Sequence, residues 1–395
     1  MNVLFLTEEP ISFSETMVRG GQIHVRNVVE GLRERGHEVH LVDWNDDPER
    51  SYQHSLSPTC RLVVDPARSM RRSIEVGGEV DTDIVVSKTR KTYLPGLVSA
   101  RRLGVPHVVH VGSSLDRPTL GYGDHLNTLS FAARLRLPHD AYFVVSEYIA
   151  TQLRNRSIDD ERIFDVKNAV DTDRFHPNRV PEPLDGAFQQ QLDAIDDDAF
   201  QLGFVGGLQP YKGLDDLAAA IERVDAHCHV VVAGDGPERE RLTRMFGDAA
   251  TFLGSVPYRQ VPALYHEFDA FILPSHTEGL PRVVLEAQAT ATPVVTTRVG
   301  GVPEVVADGE TGLLRDVADP VGLAAAIDRL AADADERERL GVAGRESVET
   351  AYAWDALYIR YEQFLEKVVN RTPRESSGAG RDTGARADDD GQSPG

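Results

Sequence analysis

The chain alternates strand-like and helix-like segments along nearly all of its length. Such alternation admits little besides parallel sheets with helices on both faces. In the first half, Val3–Thr7 reads as a strand, Gly20-Gly21 as a turn, and Ile23–Arg35 as an amphipathic helix ended at Gly36. Strands are expected near Glu38–Val42, Asp83–Ser87, His107–Val111 and Ala141–Val145. The same order restarts at Phe200: a strand over Gln201–Val205, the pair Gly206-Gly207, then a helix with Leu214, Leu217, Ala218 and Ile221 on one face. His229–Ala233, Phe268–Leu273 and Pro293–Thr296 are further strands. No short-period repeat is found. Two doubly wound α/β units suit a chain of 395 residues. Between them, 177–199 is rich in Pro, Gln and Asp without a sustained period, and reads as a linker. Helices from Val321 to about Asn370 follow, where Trp354, Leu357, Tyr358 and Tyr361 form an aromatic stripe suited to packing. The tail from Thr372 is expected to be disordered.

Two turns carry the chemistry. In His276–Ala289, Glu278 lies in a Gly/Pro-marked turn after an apolar run, and Glu286 lies eight residues on, in the helix that the turn opens. Pro281 suits a first helical position, and a helix N-terminus offers unpaired amides to an anion. One carboxylate on each side of that anion would hold hydroxyl groups, the order presented by a sugar, a diphosphate and a ribose. The second turn is Phe204–Gly213. Paired glycines let backbone approach a ligand, and Lys212 stands just before a helix whose first turn holds Asp215 and Asp216. A lysine there can neutralise a diphosphate leaving group. A plain surface lysine is the alternative.

Other motifs carry less. Gly234-Asp235-Gly236-Pro237 lacks the third glycine of a dinucleotide fingerprint and is not on the first strand of its unit, which argues against a dehydrogenase. Gly300–Glu304 reads as turn chemistry near the same cleft. Asp81-Thr82-Asp83 and Asp171-Thr172-Asp173 read as caps and turns more than magnesium sites. His110 ends a strand at the cleft edge, where it is placed either to touch a ligand or to bond within the core. His24 is ambiguous in the same way.

A formal charge of −21 excludes general nucleic-acid binding. With five lysines among 42 basic residues and runs such as Asp196-Asp197-Asp198, the composition fits a salt-adapted surface or an ordinary acidic cytosolic protein. Cys60 and Cys228 make neither a disulfide framework nor a metal site. No membrane-length apolar run and no signal peptide is read, so a cytoplasmic enzyme is expected. Against the acidic trend, 84–115 holds Lys88, Arg90, Lys91, Arg101 and Arg102 and no acidic residue, with Tyr93, Leu94 and Leu97 among them. That segment is either a solvated face or a peripheral contact with an anionic membrane or phosphorylated acceptor.

Taken in order, these segments resemble the retaining glycosyltransferases called family 4, with two facing Rossmann-like domains (the GT-B fold). The resemblance runs through Gly20-Gly21, Arg35–Val39, Asn168–Asp171 with Phe175, Gly206–Gly213, Gly234–Pro237, Pro274-Ser275, Glu278 with Glu286, Gly300–Glu304 and Trp354–Tyr361. It implies an acceptor-side domain over 1–176, a linker over 177–199, a donor-binding domain over 200–352, and a helix at 353–371 crossing back to the first domain. It implies a nucleotide diphosphate-sugar donor, a glycan, lipid-linked or other hydroxyl acceptor, and no required metal or other cofactor. Lys212 would then neutralise the diphosphate, Glu278 hold a sugar hydroxyl and Glu286 the ribose. Gly279, Leu280, Pro281, Arg282 and Val283 would offer amides, while Gly20 and Gly21 close over the phosphates. Three departures stand out, one being an interval from Gly21 to Gly36 that is about one residue short of the common pattern and leaves the role of His24 open. The family usually has Arg where Gly207 stands, and many members have His where Gly112 stands, so that His110 would substitute as a catalytic group. A nucleotide-sugar-binding scaffold that has lost catalysis and a GT-B-fold epimerase are the alternatives.

Overall fold

In the computed structural model, the residues described are 1–7, 11, 20–43, 51–55, 66–115 and 133–371. The expected tail disorder beyond 371 lies outside them. All strand pairings are parallel. The first sheet contains β1 (Asn2–Leu6), β2 (Glu38–Asp43), β3 (Gln53–Ser55), β4 (Ile84–Ser87), β5 (His107–Val111), β6 (Ala141–Val144) and β7 (Ile163–Asp165), in the order β3-β2-β1-β4-β5-β6-β7. The second contains β8 (Phe200–Val205), β9 (Cys228–Ala233), β10 (Ala250–Gly254), β11 (Ala270–Leu273), β12 (Val294–Thr297) and β13 (Leu313–Arg315), ordered β10-β9-β8-β11-β12-β13. Central strands such as β4, β6 and β11 are buried at every position, as helices on both faces require.

In each sheet the strand order reverses beside the first strand, between β1 and β4 and between β8 and β11. Ligands of open parallel sheets bind outside the carboxyl ends of the strands at that reversal. The loops that leave β8 and β11 are the Gly206–Gly213 and Pro274–Arg282 turns.

The helix Trp354–Arg371 belongs to the core of the first sheet. Trp354, Leu357, Tyr361, Leu365 and Val368 pack with Val3, Phe5, Val86 and Phe143, and the Tyr361 ring meets Phe143 edge-on at 5.3 Å. Tyr358 donates to the Asn27 carbonyl at 3.1 Å, and His37 bonds Glu362 at 2.9 Å. The aromatic stripe is packing.

Three details differ from the sequence expectation. Gly20 and Gly21 are the first residues of the helix Gly20–Glu34 rather than a turn before it. Pro281 stands one position ahead of its helix, which begins at Arg282, because its ψ of 119° keeps it extended. The stretch 177–199 is more than a connector: it forms the helix Gly186–Leu192, and Leu184, Leu192 and Ile195 are buried against the second unit. These three apolar residues are too few and too irregularly spaced to show as a period.

Candidate active site

The Lys212 loop is held against the turn after β11 by backbone. The His276 amide donates to the Tyr211 carbonyl at 2.8 Å, and Asp216, in the first turn of the helix Leu214–Ile221, bonds His276 Nε2 at 2.6 Å. Gly213 makes the approach feasible. Its φ is 68°, and a Cβ there would stand 1.9 Å from the Pro274 carbonyl oxygen. With the loops so close, Lys212 Nζ donates to Glu278 Oε1 at 2.7 Å. Ser275 Oγ donates to the same oxygen at 2.8 Å. Only 13% and 11% of the two side chains are exposed, so the pair works in a medium less polar than water.

Behind Glu278 the turn is fixed from several sides. The Gly301 amide donates to the Gly279 carbonyl at 2.7 Å. Asn168 Nδ2, from the first half, donates to the Leu280 carbonyl at 2.6 Å. Gly279 also touches the first half: a Cβ on it would lie 2.8 Å from the Gly112 carbonyl oxygen. The N-cap residue of the helix Arg282–Ala289 is Pro281, which supplies no side-chain cap, and the N-terminal end of such a helix favours an anion.

Glu286 is placed differently from Glu278. Its carboxylate is 4% exposed and accepts from Tyr258 Oη at 3.4 Å and Tyr265 Oη at 3.3 Å. Arg282 lies 3.7 Å away. Burial raises its pKa, opposed by Arg282 and the two tyrosine bonds. The described contacts therefore join Lys212 to Glu278 and turn Glu286 toward the tyrosines. A carboxylate has about four lone-pair directions, and two long bonds leave acceptor capacity.

The structure places His110 in the core. It sits in β5, whose bounds are those expected, with no exposed surface. Lys88, just after β4, places Nζ 2.9 Å from its Nδ1, and the His24 ring lies 4.8 Å from its own. Burial, then Lys88, holds its pKa well below 6.5. Its imidazole is buried and the neutral form is favoured. Lys88 follows the strand next to the first sheet's reversal, a position from which sequence alone places it at the cleft. Its Nζ lies 3.4 Å from where a Cβ on Gly112 would stand. Gly21 is exposed at the start of its helix. Gly207 has an open flank, its nearest neighbour to a Cβ being the Asp235 carbonyl oxygen at 3.9 Å. Asp171 Oδ1 accepts the Asp173 and Arg174 amides, which is turn chemistry. Among the described residues no group of three His, Cys, Asp or Glu is arranged for a metal.

Burial also holds His24 and His107 well below 6.5. These two and His110 are neutral in the folded chain but take up protons on unfolding once pH falls through 6.5. The unfolded state then binds more protons, so stability drops as pH falls below that value, by up to about 4 kcal/mol per pH unit for three rings. Urea midpoints at pH 7.5, 6.5 and 5.5 should therefore fall mainly over the last interval; equal midpoints at 6.5 and 5.5 would contradict the assignment.

Comparison with known proteins adds the following. A family model described as Glycosyltransferase Family 4 matches residues 18–174, and one described as Glycosyl transferases group 1 matches 187–347. The chain is 29% identical over 382 residues to the alpha-maltose-1-phosphate synthase of Mycolicibacterium smegmatis, covering 90% of this chain and 96% of that protein. It is likewise 29% identical over 376 residues to the GDP-mannose-dependent alpha-(1-6)-phosphatidylinositol monomannoside mannosyltransferase of that organism, covering 88% and 95%. In fold it is similar to sucrose-phosphate synthase from Thermosynechococcus elongatus, with TM-score 0.80, 19% identity, and coverage of 94% and 99%. HepE of Anabaena, crystallised with UDP-glucose, gives TM-score 0.75 and 18% identity over 93% and 100%.

Proposed function

Because the chain belongs to glycosyltransferase family 4 and has the GT-B fold, we propose that this transferase moves a sugar from a nucleotide diphosphate-sugar to a hydroxyl acceptor, with retention and without a metal. The observation that carries this reading is the Lys212–Glu278 pair at 2.7 Å, where the loops after β8 and β11 meet beside the N-terminus of the helix Arg282–Ala289. Lys212 and the amides of Arg282 and Val283 receive the diphosphate, and Glu278 accepts from a sugar hydroxyl. The ribose hydroxyls are assigned to Glu286, and Gly20-Gly21 to the phosphates from the other side. In the reaction the acceptor oxygen bonds to the anomeric carbon while the bond from that carbon to the diphosphate oxygen breaks. The acceptor proton passes to the departing diphosphate. The protein supplies position and charge stabilisation. We divide the chain functionally into an acceptor side over 1–176 and a donor side over 200–352, joined by 177–199, with 353–371 returning to the first.

Support for the donor comes from the similar mannosyltransferase, whose name specifies GDP-mannose. Its phosphatidylinositol mannoside acceptor also favours a lipid-linked acceptor here. The basic segment would then touch an anionic membrane from the cytoplasmic side. Lys91, Leu94, Arg101 and Arg102 are exposed, although Arg101 is tied to the Pro138 carbonyl. Lys91→Glu with Arg102→Glu should abolish sedimentation with anionic liposomes, and unaltered sedimentation would remove this contact. No helix among the described residues is long and apolar enough to cross a membrane.

The reading is tested by thermal-shift screening of UDP, GDP, ADP and their sugars at molar salt, followed by determination of the product's anomeric configuration. A bound donor raises the transition; inversion, or no response to any nucleotide, would overturn the proposal. Gly207→Arg gives a further check. The open flank accepts the side chain, so the variant should fold normally and bind nucleoside diphosphate roughly tenfold tighter, the worth of one charge-assisted hydrogen bond. Unchanged calorimetric affinity would place Gly207 away from the diphosphate.

A further inference from the structure

Glu304 reaches across from the second half of the chain into the first. Its Oε2 accepts from the Glu147 amide and its Oε1 from the Tyr148 amide, both at 3.1 Å, at the N-terminus of the helix Glu147–Arg154. Ser146 Oγ takes the Ile149 amide of the same turn, so the two side chains divide the helix's unpaired donors between them. Lys167, just after β7, donates from Nζ to Glu304 Oε2 at 2.7 Å. The Glu304 carbonyl in turn accepts from Tyr352 Oη at 2.7 Å, immediately before the helix that returns to the first sheet. One residue thus joins two segments of the first half to the end of the second.

Its own segment has little slack against the active-site turn. A Cβ on Gly300, whose φ is 55°, would stand 2.0 Å from the Glu278 carbonyl oxygen. A Cβ on Gly301 would stand 2.4 Å from the Gly279 carbonyl oxygen and 2.7 Å from Ser146 Cβ. Backbone therefore lies on backbone from Glu278 to Gly301, and a displacement of Glu304 reaches the turn with little intervening side chain to absorb it.

We propose that Glu304 is a positioning residue that registers the first half of the chain against the Lys212–Glu278 site, so that the acceptor side meets the donor in reacting geometry. The proposal rests on the transferase reading of that site. The helix N-terminus favours the carboxylate through its unpaired amides and dipole, and Lys167 adds an ion pair, so the clasp is specific for an anion at this position. Separation of the halves must break both amide bonds and the Lys167 pair together.

The test uses the full chain with Cys60 and Cys228 replaced by serine, spin labels at Asn155→Cys and Glu338→Cys, and variants Glu304→Ala, Glu304→Gln and Lys167→Met. With Glu304 intact, the inter-label distance should be single and narrow. Glu304→Ala should broaden or lengthen it and lower kcat for transfer at least about tenfold. UDP and GDP affinity should stay within about threefold, because every group assigned to them except Gly20-Gly21 lies in the second half. Lys167→Met keeps both amide bonds and should fall between, as should Glu304→Gln, and both remain informative if Glu304→Ala does not fold. An unchanged distance distribution with unchanged kcat would overturn the proposal. So would a loss of nucleotide affinity equal to the loss of kcat. Failure of the unsubstituted protein to bind any nucleotide would instead refute the donor site, leaving the distance result to judge the clasp.

Discussion

Lys212→Ala should lower the rate of sugar transfer at least about 100-fold. The ammonium is the group nearest to where charge develops as the diphosphate leaves, and removing one such preorganised donor typically costs two to three orders of magnitude in kcat. The substitution also strips Glu278 of its cation, leaving Ser275 as its described partner. Removing one member of a shielded ion pair destabilises a fold by up to about 3 kcal/mol, so a melting curve must accompany the kinetics. The double variant Lys212→Ala/Glu278→Ala separates the two effects. If the loss of rate is mainly a stranded carboxylate, the double variant recovers stability and activity together. If Lys212 carries leaving-group charge, stability returns and activity does not. Full transfer activity in the single variant would remove the role assigned to Lys212.

Gly213→Ala should disrupt the same site through the backbone. At a φ of 68° a Cβ costs roughly 1–2 kcal/mol in conformation alone. Here it would also stand 1.9 Å from the Pro274 carbonyl oxygen, 2.9 Å from the Pro274 carbonyl carbon and 3.2 Å from His276 Cδ2. Carbonyl backbone cannot rotate away as a side chain can, so the Lys212 loop must lift from the β11 turn and take the ammonium with it. The expected result is a transition lowered by about 5 °C or more, with nucleotide affinity and transfer each down at least about tenfold. Gly207→Ala serves as the control, since a Cβ there has no neighbour nearer than 3.9 Å. Native melting and activity in Gly213→Ala would show that the loops are not held as described.

The parts legible in the chain were those written in local order. Strands such as Val230–Ala233 and Ala270–Leu273 are buried on both faces and so appear as unbroken apolar runs. Lys212 and Glu278 follow such strands through glycine-marked turns, which is why their meeting was foreseeable. The short strands β3, β7 and β13, three residues each, were not legible, nor was the edge strand β10. So few residues carry no period. The strand that carries His110 was legible to its last residue, but its ring partners Lys88 and His24 come from other elements and left no local trace. Contacts created only by tertiary packing left no local trace. Tyr258 and Tyr265 close on Glu286 from a separate helix–turn segment, and Glu304 meets groups more than a hundred residues earlier in the chain. In sequence Glu304 closes a Gly-Gly-Val-Pro turn, and only the paired sheets give it partners.

The central claim is that the Lys212–Glu278 turn pair receives the diphosphate of a sugar nucleotide. Calorimetric titration of UDP and GDP into the unsubstituted protein and into Lys212→Ala, at one salt concentration, tests it most directly. The account predicts saturable binding of at least one nucleotide to the former, weakened tenfold or more by the substitution. Equal affinity in the two proteins, or binding to neither, would contradict it.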